Sequence, residues 1–472
     1  METMDLSLLD LPDDALLAVL AYLSPAELLG CRVVCRRLRD LCLHSDLWKS
    51  TAIDTMKLLP ALRVAPCLRK ISLVNLEQKL TPAQREKVTS LLASTECVVA
   101  ELEVIAFFDD DDVPLATAMV KKFSALGGLR ALELIYVGSN VPDSYLAPLL
   151  KAAFGVGGLR ELRIIIESEN PPNPASWSIT AKQPSLTKLV YTGILDPFLE
   201  LLLTTHAPTL EDVSLSLRET DHLPMNLLRM MPRLRSFACK ASALLDTAGL
   251  SNLNTLKFID EDLPDFPPSA LNFLCQAPHL RSVSFASPKE NHAAPLQALA
   301  SSPSARLLES LTVCWARLHP DSIGVEMAAN ILPHFPSLQS LSLEWWLRGD
   351  ALDGFLQAVT PTSAPSLTSL SMKPLPSECA HGWLHSRAVQ ELLERNPRLH
   401  LHVLGGNRAE CSSKWCRRLG CHEELLKLDD LQHLVLSAHR RMAGCPNGCQ
   451  GGRSDLVSWQ RFACHPGNVL CN

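Results

Sequence analysis

Aromatic residues make up only 5% of these 472 residues, and leucine is abundant in their place. That bias suits a repeat protein whose core is a series of short leucine-lined layers. Long apolar runs are missing. The stretch from Ala15 to Leu23 is far too short to span a bilayer, and no basic segment precedes an apolar leader core. Neither a membrane partner nor a secretory leader is expected. A surplus of positive charge is missing too: the net charge of -6 offers no field for nucleic acid. Catalytic signatures are equally scarce. There is no G-x-S-x-G and no P-loop, and Gly155-Val156-Gly157-Gly158 lacks the third glycine of a dinucleotide loop. His422-Glu423 opens like a metalloprotease H-E-x-x-H, but Leu426 stands where the second histidine is needed. No enzyme is expected. C-x-x-C pairs are absent although there are 16 cysteines, and without a leader these thiols are expected to be reduced, or metal-bound, in the cytoplasm or nucleus.

What is present begins at once. Residues 11–48 hold three short helical patterns too small to bury their own apolar faces. Pro12 sits at a helix start, and Asp13 and Asp14 complement the N-terminal dipole. Leu16, Leu17, Val19, Leu20 and Leu23 follow at helical spacing. Ser24-Pro25-Ala26-Glu27 has the form of a capping box ahead of Leu28 and Leu29. A third run carries Val33, Val34, Cys35, Leu38 and Leu41, and Leu47-Trp48 ends the unit. Such a stretch calls for a protein partner rather than a small substrate.

These positions resemble an F-box, the adaptor-binding module of SCF-type ubiquitin ligases. The match runs through Leu11-Pro12, Leu16, Leu20, Tyr22-Leu23, Leu28, Val34-Cys35-Arg36-Arg37, Leu41 and Leu47-Trp48. Leu38 departs from it, since many family members carry tryptophan there. The resemblance implies that Leu11, Pro12, Leu16, Leu17, Leu20, Leu23, Leu28, Val34, Cys35, Leu47 and Trp48 bind a Skp-type adaptor. That adaptor would in turn bring a cullin and a RING subunit.

Beyond residue 57 the pattern L-x-x-h-x-h, with h apolar, recurs from Leu68, Val99, Leu129, Leu159, Leu186, Leu210, Leu234, Leu253, Leu280, Leu308, Leu338 and Leu367, with an irregular line at Leu399. Each line alternates with period two, as at Leu132/Leu134 and Leu341/Leu343. The intervening segments read as helices, for instance residues 146–154 and 327–332. Proline lies two residues before eight of the thirteen lines, and Gly127-Gly128 and Gly157-Gly158 precede two more; both ends of that choice stop a helix. This resembles a leucine-rich repeat solenoid over residues 58–405. The asparagine or cysteine that usually follows the strand is missing, so irregular loops are expected; Phe107, Val137, Glu167 and Trp346 are among the residues there instead. The expected class is α/β: a three-helix F-box at 1–57, a curved solenoid of about thirteen degenerate repeats at 58–405, and a Cys/His-rich cap at 406–472.

An F-box followed by leucine-rich repeats resembles one class of SCF substrate receptors, and it implies a protein substrate on the repeats. Residues between the apolar positions should face away from the core. They are charged in the first half (Lys70, Glu101, Glu103, Glu133, Glu161, Arg163, Lys188, Asp212) and small hydroxyls in the second. Ser310, Thr312, Ser340, Ser342, Glu344, Trp346 and Arg348 are the candidate substrate contacts, with Trp346 an exposed anchor and Trp345 in the core phase. The tail holds seven cysteines and reads as a cap with free thiols, with a helix expected from Glu423 to Met442. Its alternative is a zinc site among Cys411, Cys416, Cys421, His422, Cys445, Cys449 and Cys464, although the spacings C-x4-C and C-x3-C match no structural zinc module. No other cofactor is expected. Two rival functions stay open: a scaffold that binds the adaptor without directing ubiquitin transfer, and a direct ligase with a RING-like zinc tail.

Overall fold

The computed structural model describes residues 8–53, 59–72, 81–107, 112–137, 143–166, 183–217, 225–243, 250, 252–259, 266–286, 293–314, 322–347, 349–374, 383, 386–404 and 435–439. The chain divides into two compact units, Met1–Asp221 with Asn226–Arg233, and His222–Met225 with Leu234–Asn472.

The first unit opens with α1 (Asp13–Leu20), α2 (Pro25–Cys31), α3 (Arg36–Leu41) and α4 (Ser45–Trp48). The fourth is one helix more than the sequence suggests: Leu47-Trp48 lies in a single turn capped by His44, whose Nδ1 accepts from the Asp46 N–H at 3.4 Å. The strands follow as β1 (Ala52–Ile53), β2 (Cys67–Ser72), β3 (Val98–Phe107), β4 (Ala131–Val137), β5 (Glu161–Ile166), β6 (Lys188–Gly193) and β7 (Asp212–Leu217). Between them run α5 (Pro82–Ser94), α6 (Asp112–Ala125), α7 (Asp143–Phe154) and α8 (Pro197–His206). Each strand pairs in parallel with the next in chain order. Parallel neighbours need a crossover connection, and these helices supply it at the strand pairs they separate.

The second unit repeats the scheme. After α9 (Met225–Arg229), which contains the division, come β8 (Ser236–Cys239), β9 (Thr255–Phe258), β10 (Ser282–Ala286), β11 (Ser310–Cys314), β12 (Ser340–Leu347), β13 (Ser369–Pro374) and β14 (His400–Leu404). The helices here are α10 (Pro268–Gln276), α11 (Ala293–Ala300), α12 (Ser322–Ile331), α13 (Gly349–Ala358) and α14 (Arg387–Arg395). Strands β8 to β14 also pair in parallel. The thirteen strands β2 to β14 each start within two residues of a leading apolar position in the sequence lines. The apolar phase is the core: Leu132, Ile164, Leu256 and Leu341 are all at most 2% exposed.

Side-chain hydrogen bonds link the turns that enter successive strands. In the first unit Thr95 Oγ1 donates to Leu62 O at 2.6 Å and Thr209 Oγ1 to Leu186 O at 2.7 Å. In the second, Ser337 Oγ donates to Arg306 O and Ser366 Oγ to Pro336 O, both at 2.7 Å, and Asn396 Nδ2 donates to Val359 O at 3.0 Å. Ser304 Oγ accepts from Leu280 N at 2.9 Å and donates to Ala277 O. Each donor sits in the turn entering one strand and satisfies the equivalent turn of the strand before. Backbone groups in stacked turns need such partners once water is excluded. Glycine serves the same turns: Gly127 has φ +80°, and a Cβ on Gly128 would stand 1.9 Å from Val98 Cγ1.

Two expectations are corrected. The helix placed over 423–442 fails where it can be described: Val435–His439 is a strand, β15, antiparallel to β14 with His400 opposite His439. The unpaired edge of β14 offers backbone hydrogen bonds that outweigh a helical spacing of apolar residues. Reduced thiols hold for Cys31, Cys35, Cys42, Cys67, Cys97, Cys239 and Cys275, but Cys314 is disulfide-bonded.

Candidate functional site

The N-terminal helices are fastened by local chemistry. The expected capping box forms, with the Ser24 N–H donating to Glu27 Oε2 at 2.8 Å and the Glu27 N–H to Ser24 Oγ at 3.4 Å. The Ser24 hydroxyl, which donates to Glu27 Oε2 at 2.7 Å, and then the Ser24 N–H hold the Glu27 carboxyl below its ordinary range. Arg37 of α3 reaches across to the chain entering α1. Its NH2 donates to Leu11 O at 2.7 Å and to Asp13 Oδ1 at 2.6 Å, and its NH1 to Leu9 O. Trp48 is fully buried with its Nε1–H donating to Cys42 O at 2.7 Å. Burial pushes the Cys42 thiol up. A buried thiol of that kind is a packing group, not a nucleophile.

Burial sorts the expected adaptor residues into two groups. Leu16, Leu20, Leu28, Leu47 and Trp48 are core side chains, none more than 7% exposed. Leu11, Leu17, Leu23 and Cys35 are half-buried, and Pro12 and Val34 are exposed. The apolar faces of these short helices are therefore not left open at Leu16, Leu20, Leu28 and Trp48, which face inward. The open apolar surface lies elsewhere. Tyr22 is 91%, Val33 82% and Val34 67% exposed, with Leu8, Leu9 and Val19 also exposed. Six of the eight exposed large hydrophobics among the described residues thus fall between residues 8 and 34. The sequence places Val33 only within a helical run. Its signal is weak in sequence because it lies in the turn between α2 and α3.

The family profile described as F-box-like matches residues 8–54. This chain carries an F-box-like domain. No curated protein matches the chain.

The second surface is the open face of the strands. In the second unit the register aligns Ser282, Ser310, Ser340, Ser369 and His400 in one row, and Ser284, Thr312, Ser342, Ser371 and His402 in the next. Ser310, Thr312, Ser340 and Ser342 are all half-buried. Trp346 is registered with Lys373, past an irregularity that follows Leu343. Glu344 is registered with Cys314. Arg348 lies outside the described residues, as do Cys411, Cys416, Cys421, His422, Cys445, Cys449 and Cys464. Among the described residues there is no group of three or more His, Cys, Asp or Glu side chains able to hold a metal ion.

In the first unit the open face is charged and indented. A groove of about 280 Å³ is lined by residues of β2 to β6, including Lys70, Glu101, Glu133, Glu161, Arg163 and Lys188. Lys70 Nζ lies 2.6 Å from Glu103 Oε2, and Lys188 Nζ 3.7 Å from Glu161 Oε2. Arg163 Nε is 3.1 Å from Glu133 Oε1 but its N–H is not aimed at that oxygen, so the contact is an ion pair without a hydrogen bond. Burial raises the Glu133 carboxyl above its ordinary value; Arg163 opposes the shift and Glu103 adds to it. The chemistry this arrangement offers is electrostatic recognition, with no nucleophile and base in contact.

Proposed function

We propose that the protein is a non-catalytic substrate receptor of an SCF-type ubiquitin ligase. The F-box-like domain would dock a Skp-type adaptor and, through it, a cullin and a RING subunit. Residues 58–405 would form a leucine-rich-repeat solenoid of about thirteen degenerate repeats, and its open strand faces would hold a protein substrate. No catalytic residue is needed, because tethering raises the substrate's effective concentration at the loaded conjugating enzyme. On this reading the protein works in the cytoplasm or nucleus, and residues 406–472 cap the last strand. Ser310, Thr312, Ser340, Ser342, Glu344, Trp346 and Arg348 are the sequence-derived contacts on the second unit's face.

One observation carries the reading: exposed apolar side chains gather in the segment that matches the F-box-like profile. A water-facing cluster of this kind marks an interaction site. Val33→Asp combined with Val34→Asp should weaken capture of a co-expressed Skp-type adaptor by roughly 30-fold or more, the scale of losing an anchor worth about 2 kcal/mol. The melting temperature should hold, since both side chains are already in solvent. Full capture by the double variant would sink the assignment. Cullin in the purified complex separates a ligase subunit from a scaffold, and stoichiometric zinc would instead favour the RING-like tail.

A further inference from the structure

The row nearest the entering turns in the first unit reads, strand by strand, Lys70, Glu101, Ala131, Glu161, Lys188, Asp212. Its signs run plus, minus, nothing, minus, plus, minus. Opposite charges facing each other across neighbouring strands stabilise a sheet, and like charges oppose it. A cation at the third place would make the alternation complete. The residue there is alanine, whose small side chain leaves the groove its floor.

The carboxylates around that floor are not fully used. Lys70, the direct neighbour of Glu101, is committed to Glu103 at 2.6 Å. Glu101 itself has neither a side-chain hydrogen bond nor an ion pair among the described residues. Glu161 is 56% exposed and meets Lys188 only at 3.7 Å. Glu133 is directly next in chain phase to Ala131, and its pairing with Arg163 is misaligned. The groove lining carries four glutamates against three basic residues, so its own charge is negative. Beside the charged rows the open face turns apolar, with Ile135 paired to Ile165, both half-buried.

The dimensions narrow the guest. Glu101 and Glu161 are two strands apart, on the order of 10 Å, and no metal-holding cluster exists among the described residues. A volume of about 280 Å³ is below the roughly 300–1,000 Å³ of small-molecule sites. A long side chain with a charged end fits both limits. We propose that the face of β2 to β6 is a docking surface for a protein segment whose lysine or arginine side chain enters over Ala131 between Glu101 and Glu161, with a neighbouring aliphatic side chain on Ile135 and Ile165. This rests on the receptor reading and names its substrate class: a basic, partly aliphatic segment.

The probe is an immobilised array of octapeptides, each with a central lysine and one flanking aliphatic residue, placed beside its Nε-acetyl-lysine twin. The full-length chain co-purified with adaptor should retain a subset of the lysine peptides at least about tenfold over the twins. Raising salt from about 0.1 M to about 0.5 M should erode that preference, because the guest charge is partly screened. Ala131→Lys should abolish it with melting unchanged or improved, since an internal ammonium then occupies the vacant place. Glu101→Gln, of the same shape, should weaken it with the fold intact. Equal retention of the acetylated twins, no retained peptide at all, or an undiminished preference in folded Ala131→Lys would each overturn the proposal. Adaptor capture measured on the same preparations keeps the two readings apart. Failure on the array with capture intact removes only the lysine socket, whereas lost capture with array binding intact removes the receptor reading.

Discussion

His206 is the group through which this fold should feel acid. It ends α8, is 7% exposed, and its Nδ1 accepts from the Ser185 N–H at 3.2 Å and the Leu186 N–H at 3.4 Å. Phe154 stands edge-on with ring centroids 6.2 Å apart. Burial pulls the imidazole down to about 4 from an ordinary value of 6.5. The folded pKa is the lower one, so the contribution is intact above pH 6.5 and lost as pH falls toward 4. In that window the unfolded chain binds a proton that the native chain refuses. The linkage loss is about 2 kcal/mol at pH 5 and tends to roughly 3 kcal/mol below pH 4. His206→Asn supplies a neutral acceptor that does not titrate. Urea unfolding, with hydrogen exchange at the Ser185 and Leu186 amides as the local reporter, should be run on both proteins at pH 7.5 and pH 5. At the higher pH the variant should be less stable by about 1 kcal/mol, the worth of an imperfect hydrogen bond. At pH 5 the order should reverse. Parallel losses in the two proteins would show that His206 is not a buried neutral acceptor, and the reasoning would fail.

The turn ladder predicts that Ser304→Ala, which strands the buried Leu280 N–H and Ala277 C=O, costs about 1–3 kcal/mol in urea unfolding; a neutral effect would remove the ladder from the account of stability. Gly128→Ala should lower the melting temperature because its Cβ collides with Val98 Cγ1, and Val98→Ala should recover much of the loss. A simple sum of the two single effects would refute the contact.

The sequence alone determined the elements whose signals are short-range. Period-two apolar lines placed the strands from β2 to β14, since alternation of faces is a property of the extended chain itself. Ser24 and Glu27, three residues apart, announced their capping box for the same reason. Proline and glycine before the lines marked helix ends through local backbone restriction. The tertiary structure decided everything that depends on what lies opposite. It turned Leu16, Leu20, Leu28 and Trp48 inward and left Tyr22, Val33 and Val34 in water, because one apolar side chain resembles another until packing assigns it a neighbour. It made a strand of Val435–His439, where the open edge of β14 supplied hydrogen bonds that no local periodicity encodes. The charged groove needed register as well. Lys70, Glu101, Ala131 and Glu161 are separated by about thirty residues at each step, and only parallel pairing brings them into one row where the missing charge can be seen.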